Sequence, residues 1–269
     1  MILSALRLLV AALLILVPTA FLRLLYILPS TSRRRSKPVR SAVSHMVVVL
    51  GSGGHTAEMM SLLRDIDPRR YTHRTYIVSS GDSFSTGKAL EIEGVIQGKH
   101  KLTAQDQVGQ EQEQEPTRAG EMSLETGTWD VKTVPRARKI HQPLYTTPFS
   151  SLWCFVGCLR ALVETARTSK ATPFEYPEVI ITNGPATAVM VLLAAMFLKF
   201  VGVAPMDKMK TIYVESWARV KTLSLSGKVL LRMGICDRFL VQWEALAKRI
   251  NGEGDGRRKK VEWVGFLVD

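Results

Sequence analysis

Met46-Val47-Val48-Val49-Leu50, then Gly51-Ser52-Gly53-Gly54-His55, then Thr56-Ala57-Glu58-Met59-Met60, is the stretch that decides the fold. Five apolar residues in a row, three of them β-branched, read as a buried strand. Three glycines within four positions let the backbone turn tightly and approach a ligand. Good helix formers follow from Thr56 to Leu63, with Met59, Leu62 and Leu63 at helical spacing on one apolar face. Strand, glycine turn and helix together present backbone N–H groups at a helix N-terminus, where anionic or polar ligands bind. The turn is not the dinucleotide pattern G-x-G-x-x-G, because its third glycine follows the second directly. It is not a P-loop either, since no Lys-Ser/Thr pair closes it. An imidazole stands at its tip.

Outward from this unit, strand and helix signals alternate. Strands are predicted at 74–80, 131–135, 178–182, 211–214, 238–243 and 261–265. Helices are predicted at 83–93, 152–168, 188–201 and 225–233, with a short one before the last strand. The pattern implies one doubly wound, mostly parallel α/β sheet covered on both faces. The apolar helix at 188–201 is short for a membrane span and lies between two strands, so it reads as a buried crossover helix. From 97 to 128 the composition turns to Gln, Glu, Gly and Thr, as in Gln110-Glu111-Gln112-Glu113-Gln114-Glu115. Such a segment buries too little apolar surface to offset its ordering entropy and is predicted to be a disordered insert.

Residues 3–28 are almost wholly apolar, interrupted by Arg7, Pro18 and Arg23. A bilayer core needs about 20 apolar residues, and both arginines lie towards the ends, where they can snorkel. A cleaved signal peptide is the alternative, but its apolar region is shorter and no small-x-small cleavage site follows. The basic cluster Arg33-Arg34-Arg35-Ser36-Lys37 comes next. The positive-inside rule puts it in the cytosol, with the N-terminus lumenal and the bulk of the chain cytosolic. A nuclear address is the competing reading. The expected organisation is an anchor over 1–30, a basic linker over 31–44 and one domain over 45–269. The net charge of +12 suits phosphates or an anionic membrane; nucleic acid binding and plain solubility are the alternatives. Cys154, Cys158 and Cys236 form neither a disulfide framework nor a zinc pattern, which fits a reducing compartment.

Three loops, 51–55, 183–187 and 215–219, leave strands at one sheet edge and converge on one crevice in this topology. His55 titrates near neutrality and deprotonates a hydroxyl if a carboxylate or carbonyl orients it; a structural imidazole is the alternative. Glu215 reads as a second base or a ligand-orienting carboxylate, or else as an N-cap or an ion-pair partner of Arg219. Gly51, Ser52, Gly53 and Gly54 form a candidate cradle for a diphosphate or sugar. Asn183 and Gly184 are candidate hydrogen-bonding residues, with Pro185 starting the next helix. Arg136 and Arg138, at the end of a strand, either meet a pyrophosphate or form a solvated turn. No metal-ligand cluster, carboxylate pair or Walker motif is present, so neither metal nor cofactor is expected. Two-domain nucleotide-sugar transferases put acceptor and donor on separate doubly wound domains. This chain has room for one, so a partner chain is expected to bring the other.

Longer motifs carry a resemblance. They are Gly51-Ser52-Gly53-Gly54-His55-Thr56-x-Glu58-Met59, Ser79-Ser80-Gly81-Asp82, Val134-Pro135-Arg136-Ala137-Arg138, Asn183-Gly184-Pro185 and Tyr213-Val214-Glu215-Ser216-x-Ala218-Arg219-Val220. Leu223-Ser224-Leu225-Ser226-Gly227-Lys228, Asp237-Arg238-Phe239 and Val241-Gln242-Trp243 continue the series. In this order they resemble the membrane-anchoring subunit of the two-subunit UDP-N-acetylglucosamine transferase of the endoplasmic reticulum, the asparagine-linked glycosylation protein 14 family. More distantly, the chain is similar to the N-terminal half of the bacterial peptidoglycan transferase that uses the same donor, where a glycine-turn histidine and a late glutamate match His55 and Glu215.

The resemblance implies a Rossmann-like N-terminal half of a GT-B glycosyltransferase, anchored on the cytosolic face of the endoplasmic reticulum. It implies a soluble partner holding UDP-N-acetylglucosamine, a dolichyl-diphosphate-N-acetylglucosamine acceptor, and other early enzymes of that pathway as further candidate partners. The partner interface it implies is C-terminal, at Val264, Gly265, Phe266, Leu267 and Val268. Nucleic acid is not an expected partner. Ala186 stands where the family usually has glycine, and the 97–128 insert is outside the pattern. Whether the chain supplies active-site residues or only a scaffold for its partner stays open at this point.

Overall fold

The strand at the centre of the sheet is β1 (His45–Val49), all five of its residues buried. The computed structural model describes residues 2–29, 44–108, 127–138, 142–168, 175–184, 186–252, 260–263 and 265. After β1 come α2 (Gly54–Leu63), β2 (His73–Ser79), α3 (Ser83–Val108) and β3 (Thr128–Val134). A 3-10 turn over Leu144–Thr146 leads into α4 (Thr147–Thr168), β4 (Val179–Asn183) and α5 (Ala186–Phe200). Then follow β5 (Lys210–Val214), α6 (Leu225–Met233), β6 (Arg238–Val241), α7 (Glu244–Asn251) and β7 (Glu262–Trp263). An N-terminal helix, α1 (Ile2–Ile27), precedes the sheet.

The seven strands are ordered β3-β2-β1-β4-β5-β6-β7, and every pairing is parallel. The order reverses beside β1, which pairs with β2 on one side (His45↔His73) and β4 on the other (Met46↔Val179). Val47 and Val49 face one core with Cys154, Cys158 and Leu162 of α4 and Val191, Leu192 and Ala195 of α5. Met46 and Val48 face the other with Met59 and Leu63 of α2 and Ala89, Ile92 and Ile96 of α3. Burial on both faces explains why β1 is apolar throughout rather than alternating. Such a reversal point leaves a crevice at the strands' C-terminal ends, the usual ligand position in open α/β sheets.

Three predicted boundaries are corrected. The segment from Gln97 was expected to lack structure, yet α3 runs on to Val108, and Lys99 Nζ donates to Asp65 Oδ1 at 2.8 Å and to the Arg64 carbonyl at 3.2 Å. Its Lys, Gln and Ala content suits a polar helix as well as a loop. The remainder of that insert, 109–126, lies outside the described residues. Strand β3 starts at Thr128, because it pairs with the whole of β2, from His73↔Thr128 to Ser79↔Val134. Helix α4 starts at Thr147, with Pro148 tolerated in its first turn.

Within α1, Leu9–Ile27 has a mean hydropathy of 2.2 and is long enough to cross a membrane. Pro18 lies inside this helix. Most of the helix is exposed, whereas Ile27 near its end is buried and Leu28 packs against the main core. The basic linker over 31–43 lies outside the described residues.

Candidate functional site

The glycine turn places His55 in the first turn of α2. Gly53 stands at φ 59°, a conformation that favours glycine, and its carbonyl accepts from Thr56 N at 3.1 Å and Ala57 N at 3.2 Å. The Gly51 carbonyl is held by the hydroxyls of Thr56 and Ser85, the latter at 2.8 Å. Ser85 is fixed in turn by Asp82, which accepts from its N–H at 3.0 Å and caps α3. Ser52, Gly53 and Gly54 remain exposed on the crevice edge, and nothing lies within 4 Å of a Cβ built on Gly53 or Gly54.

Across the reversal point, β4 delivers Asn183 and Gly184 to the same place. His55 Nδ1 lies 3.1 Å from Asn183 Oδ1. Asn183 Nδ2 donates to Glu58 Oε2 at 2.6 Å, and Ser216 Oγ donates to Glu58 Oε1 at 2.6 Å. Only this orientation of the Asn183 amide gives Glu58 a donor and leaves an acceptor facing His55. The neutral imidazole therefore carries its proton on Nδ1 and turns a bare Nε2 away from the relay. Nε2 has no partner among the described residues, and the side chain is one-third exposed.

Gly184 makes room for the ring. It stands at φ 100°, and a Cβ there would lie 2.9 Å from His55 Cγ. Glu58 was not among the residues predicted for the site, although the i, i+3 spacing from His55 puts both on neighbouring parts of α2.

The charges support a proton acceptor at His55. The Glu58 carboxylate, 3.9 Å from Nδ1, holds His55 above the usual imidazole range against the opposing effect of burial. Asn183 Oδ1 and the Glu215 charge act in the same direction as Glu58. Burial alone would lift the Glu58 pKa, but the contacts with His55, Asn183 and Ser216 overcome it and hold that carboxyl below its ordinary range.

Glu215 reaches the site only indirectly. It is 1% exposed. Its Oε2 accepts from Ser224 N and Ser224 Oγ, both at 3.0 Å, and its Oε1 from Ser216 N at 3.2 Å. Ser224 is the N-cap of α6, so the carboxylate braces the cap and the loop that brings Ser216 to Glu58. Burial pushes the Glu215 pKa up, partly offset by these hydrogen bonds. Gly227 also lies against Glu215, where a Cβ would collide with the carboxylate.

The remaining predicted residues sit apart from His55. Arg136 lies on β3's end, two strands from β1 or about 10 Å across the sheet. Its Nε donates to the Ser80 carbonyl at 2.8 Å and its Nη2 to the Gly81 carbonyl at 3.2 Å. Arg138 donates to the Gln142 carbonyl at 3.2 Å. Both guanidiniums therefore brace loops at the rim of the crevice. Of the predicted partner interface, Gly265 is described, at φ 89°, whereas Val264, Phe266, Leu267 and Val268 lie outside the described residues. Among the described residues no group of His, Cys, Asp and Glu is arranged to hold a metal.

A Rossmann-like α/β domain behind an apolar N-terminal helix, with a carboxylate-backed imidazole at the reversal point of its sheet, defines the class of protein. The chain belongs to the Alg14 family: the family model "Oligosaccharide biosynthesis protein Alg14 like" matches residues 46–267. It is 39% identical over 247 residues to the UDP-N-acetylglucosamine transferase subunit alg14 of Aspergillus fumigatus, covering 78% of this chain and 100% of that one. The subunit of the same name from Schizosaccharomyces pombe is 33% identical, covering 91% of this chain and 93% of its own. The Mus musculus subunit is 28% identical, covering 76% and 77%. Among solved structures, LpCGTa in complex with UDP matches at 12% identity and a TM-score of 0.43, covering 85% of this chain and 54% of that one.

Proposed function

We propose that this chain is the membrane-anchored, acceptor-side subunit of a two-chain UDP-N-acetylglucosamine transferase, and that His55 is its general base. The observation that carries the proposal is the Glu58–Asn183–His55 relay at the crevice. It fixes the imidazole tautomer and keeps Nε2 free to take a proton from an acceptor hydroxyl as its oxygen bonds to the donor sugar's C1 and the C1–O bond to UDP breaks, UDP leaving with the electron pair. The acceptor is dolichyl-diphosphate-N-acetylglucosamine, and the new bond is made at the 4-hydroxyl of its sugar. The glycine turn, with Ser52, Gly53 and Gly54 exposed at the N-terminus of α2, suits its diphosphate. Glu215 is a positioning residue for the Ser216 loop. Arg136 and Arg138 order the rim on the acceptor's side.

The donor sugar nucleotide is held by a soluble partner subunit that closes the crevice. Exposed Trp217, Leu225 and Trp263 suit a partner on the β5–β7 half of the sheet, continuing into the C-terminal residues.

The anchor spans the endoplasmic reticulum membrane once, with the basic cluster and the domain in the cytosol. A second feature supports a membrane-facing domain: no Asp, Glu, Lys or Arg occurs from Ile140 to Leu159. The exposed side chains there include Phe149, Leu152 and Trp153 of α4.

The test is co-expression of the chain with and without the soluble subunit, assaying transfer from UDP-N-acetylglucosamine to the lipid acceptor. Activity requiring both chains and His55 supports the proposal. Full activity in the partner alone contradicts it.

A further inference from the structure

The C-terminus of α5 ends in a Schellman motif, with one carbonyl left over for the anchor. Val203 N donates to the Leu198 carbonyl at 3.0 Å and Gly202 N to the Lys199 carbonyl at 3.2 Å, with Gly202 at φ 77°. Val201 N takes the Phe197 carbonyl at 3.0 Å. The Phe200 carbonyl receives none of these, and Arg23 of α1 supplies the donor. Arg23 Nε donates to Phe200 O at 3.2 Å and Nη2 to Lys199 O at 3.0 Å. The guanidinium also puts positive charge on the negative end of the α5 dipole.

An arginine near the end of a spanning helix ordinarily snorkels to the headgroups. This one points into the protein, one helical turn before the buried Ile27, while exposed Phe197, Val201 and Val203 surround the α5 end with apolar surface. Fifteen residues separate Leu28 from Ser44, a maximum reach of about 50 Å, so chain length alone does not dictate this geometry.

We propose that Arg23 is a positioning residue that clamps the anchor helix to the end of α5 and thereby fixes the attitude of the His55 crevice to the bilayer. A lipid-borne sugar reaches Nε2 only if the crevice is held at one height and tilt, so the inference rests on the function proposed above. The clamp itself is a structural statement and can be read without activity.

The experiment uses the full chain with its partner in phosphatidylcholine vesicles, in a Cys236→Ser background. Spin labels at Leu16→Cys on α1 and Arg232→Cys on α6 report the anchor-to-domain distance by double electron–electron resonance. A narrow distribution is expected with Arg23, and one at least twice as broad with Arg23→Ala. Arg23→Lys keeps the charge but cannot reach both carbonyls in the same fork, and it too is expected to broaden the distribution. Unchanged width in Arg23→Ala, or wild-type width in Arg23→Lys, overturns the clamp.

In the same preparations, kcat/KM for the long-chain acceptor is expected to fall about ten- to a hundredfold in Arg23→Ala. The same head group on a ten-carbon, water-soluble chain is expected to react at the wild-type rate. Equal loss on both acceptors overturns the positioning role. A wild-type chain that transfers to neither acceptor counts against the function instead, and leaves the distance measurement standing as the test of the clamp.

Discussion

Asn183 holds His55 with one end of its amide and Glu58 with the other: Oδ1 lies 3.1 Å from His55 Nδ1, and Nδ2 donates to Glu58 Oε2 at 2.6 Å. Asn183 comes from β4 and both of its partners from α2, on opposite sides of the sheet's reversal point. The relay exists only when those elements are docked, so folding and site assembly are one event.

Removing the charge at the far end of the relay changes the titration of its near end. Glu58 raises the His55 pKa, and the proposed base works in its neutral form, so wild-type activity is expected to fall as pH drops through that raised value. Glu58→Gln moves this acid limb of kcat/KM to lower pH. It also lowers the rate at the plateau by about 10²-fold, since a weaker and less oriented base remains. A pH–rate profile of the two-chain complex reads both effects.

Gly184→Ala places a methyl group where the His55 ring stands and forces an alanine into φ 100°. The backbone strain costs about 1–3 kcal/mol. A displaced imidazole costs about 10²-fold in transfer rate. Denaturant unfolding and single-turnover kinetics separate the two. A variant with lost stability but wild-type turnover would show that the ring position does not matter.

Glu215→Gln tests bracing against catalysis. Loss of the charged acceptor at the α6 cap costs about 1–3 kcal/mol of stability, measured by urea unfolding. The acid limb set by His55 should still be present in its pH profile. Complete loss of that limb would return Glu215 to the role of base.

His45 gives the domain an acid sensitivity unrelated to the site. Burial, with the neighbouring His73, Lys132 and Lys208 charges, lowers its pKa from 6.5 to about 3. The unfolded chain therefore binds a proton that the folded chain refuses between those values. The stability is fully present above the unfolded pKa and is lost as pH falls towards 3, at about 1.4 kcal/mol per pH unit. Its Nε2 lies 3.0 Å from Thr75 Oγ1. His45→Gln should unfold with a shallower pH dependence between 6 and 4, followed by thermal melts across that range.

The strands and the crevice were legible because they rest on local signals. A doubly buried strand has to be apolar throughout, as Met46–Leu50 is, and a glycine turn needs glycines at positive φ, as Gly53 shows. His55, Asn183 and Gly184 were found because the topology puts the ends of β1 and β4 side by side. Glu58 was missed because a glutamate on a short helix looks like surface until Asn183 and Ser216, 125 and 158 residues away, fold onto it. The length of α3 was missed for a related reason. Lys99 finds Asp65 only after α2 and α3 pack side by side, and composition does not record that contact. Arg23 looked like a snorkelling residue because its carbonyl partners lie more than 170 positions downstream.

The most direct test of the central claim is the turnover of His55→Ala in the two-chain complex on membranes. The variant is expected to copurify with its partner, to stay membrane-bound, and to transfer N-acetylglucosamine about 10²- to 10⁴-fold more slowly than wild type. Transfer at the wild-type rate by that intact complex would contradict the account and leave this chain as a scaffold.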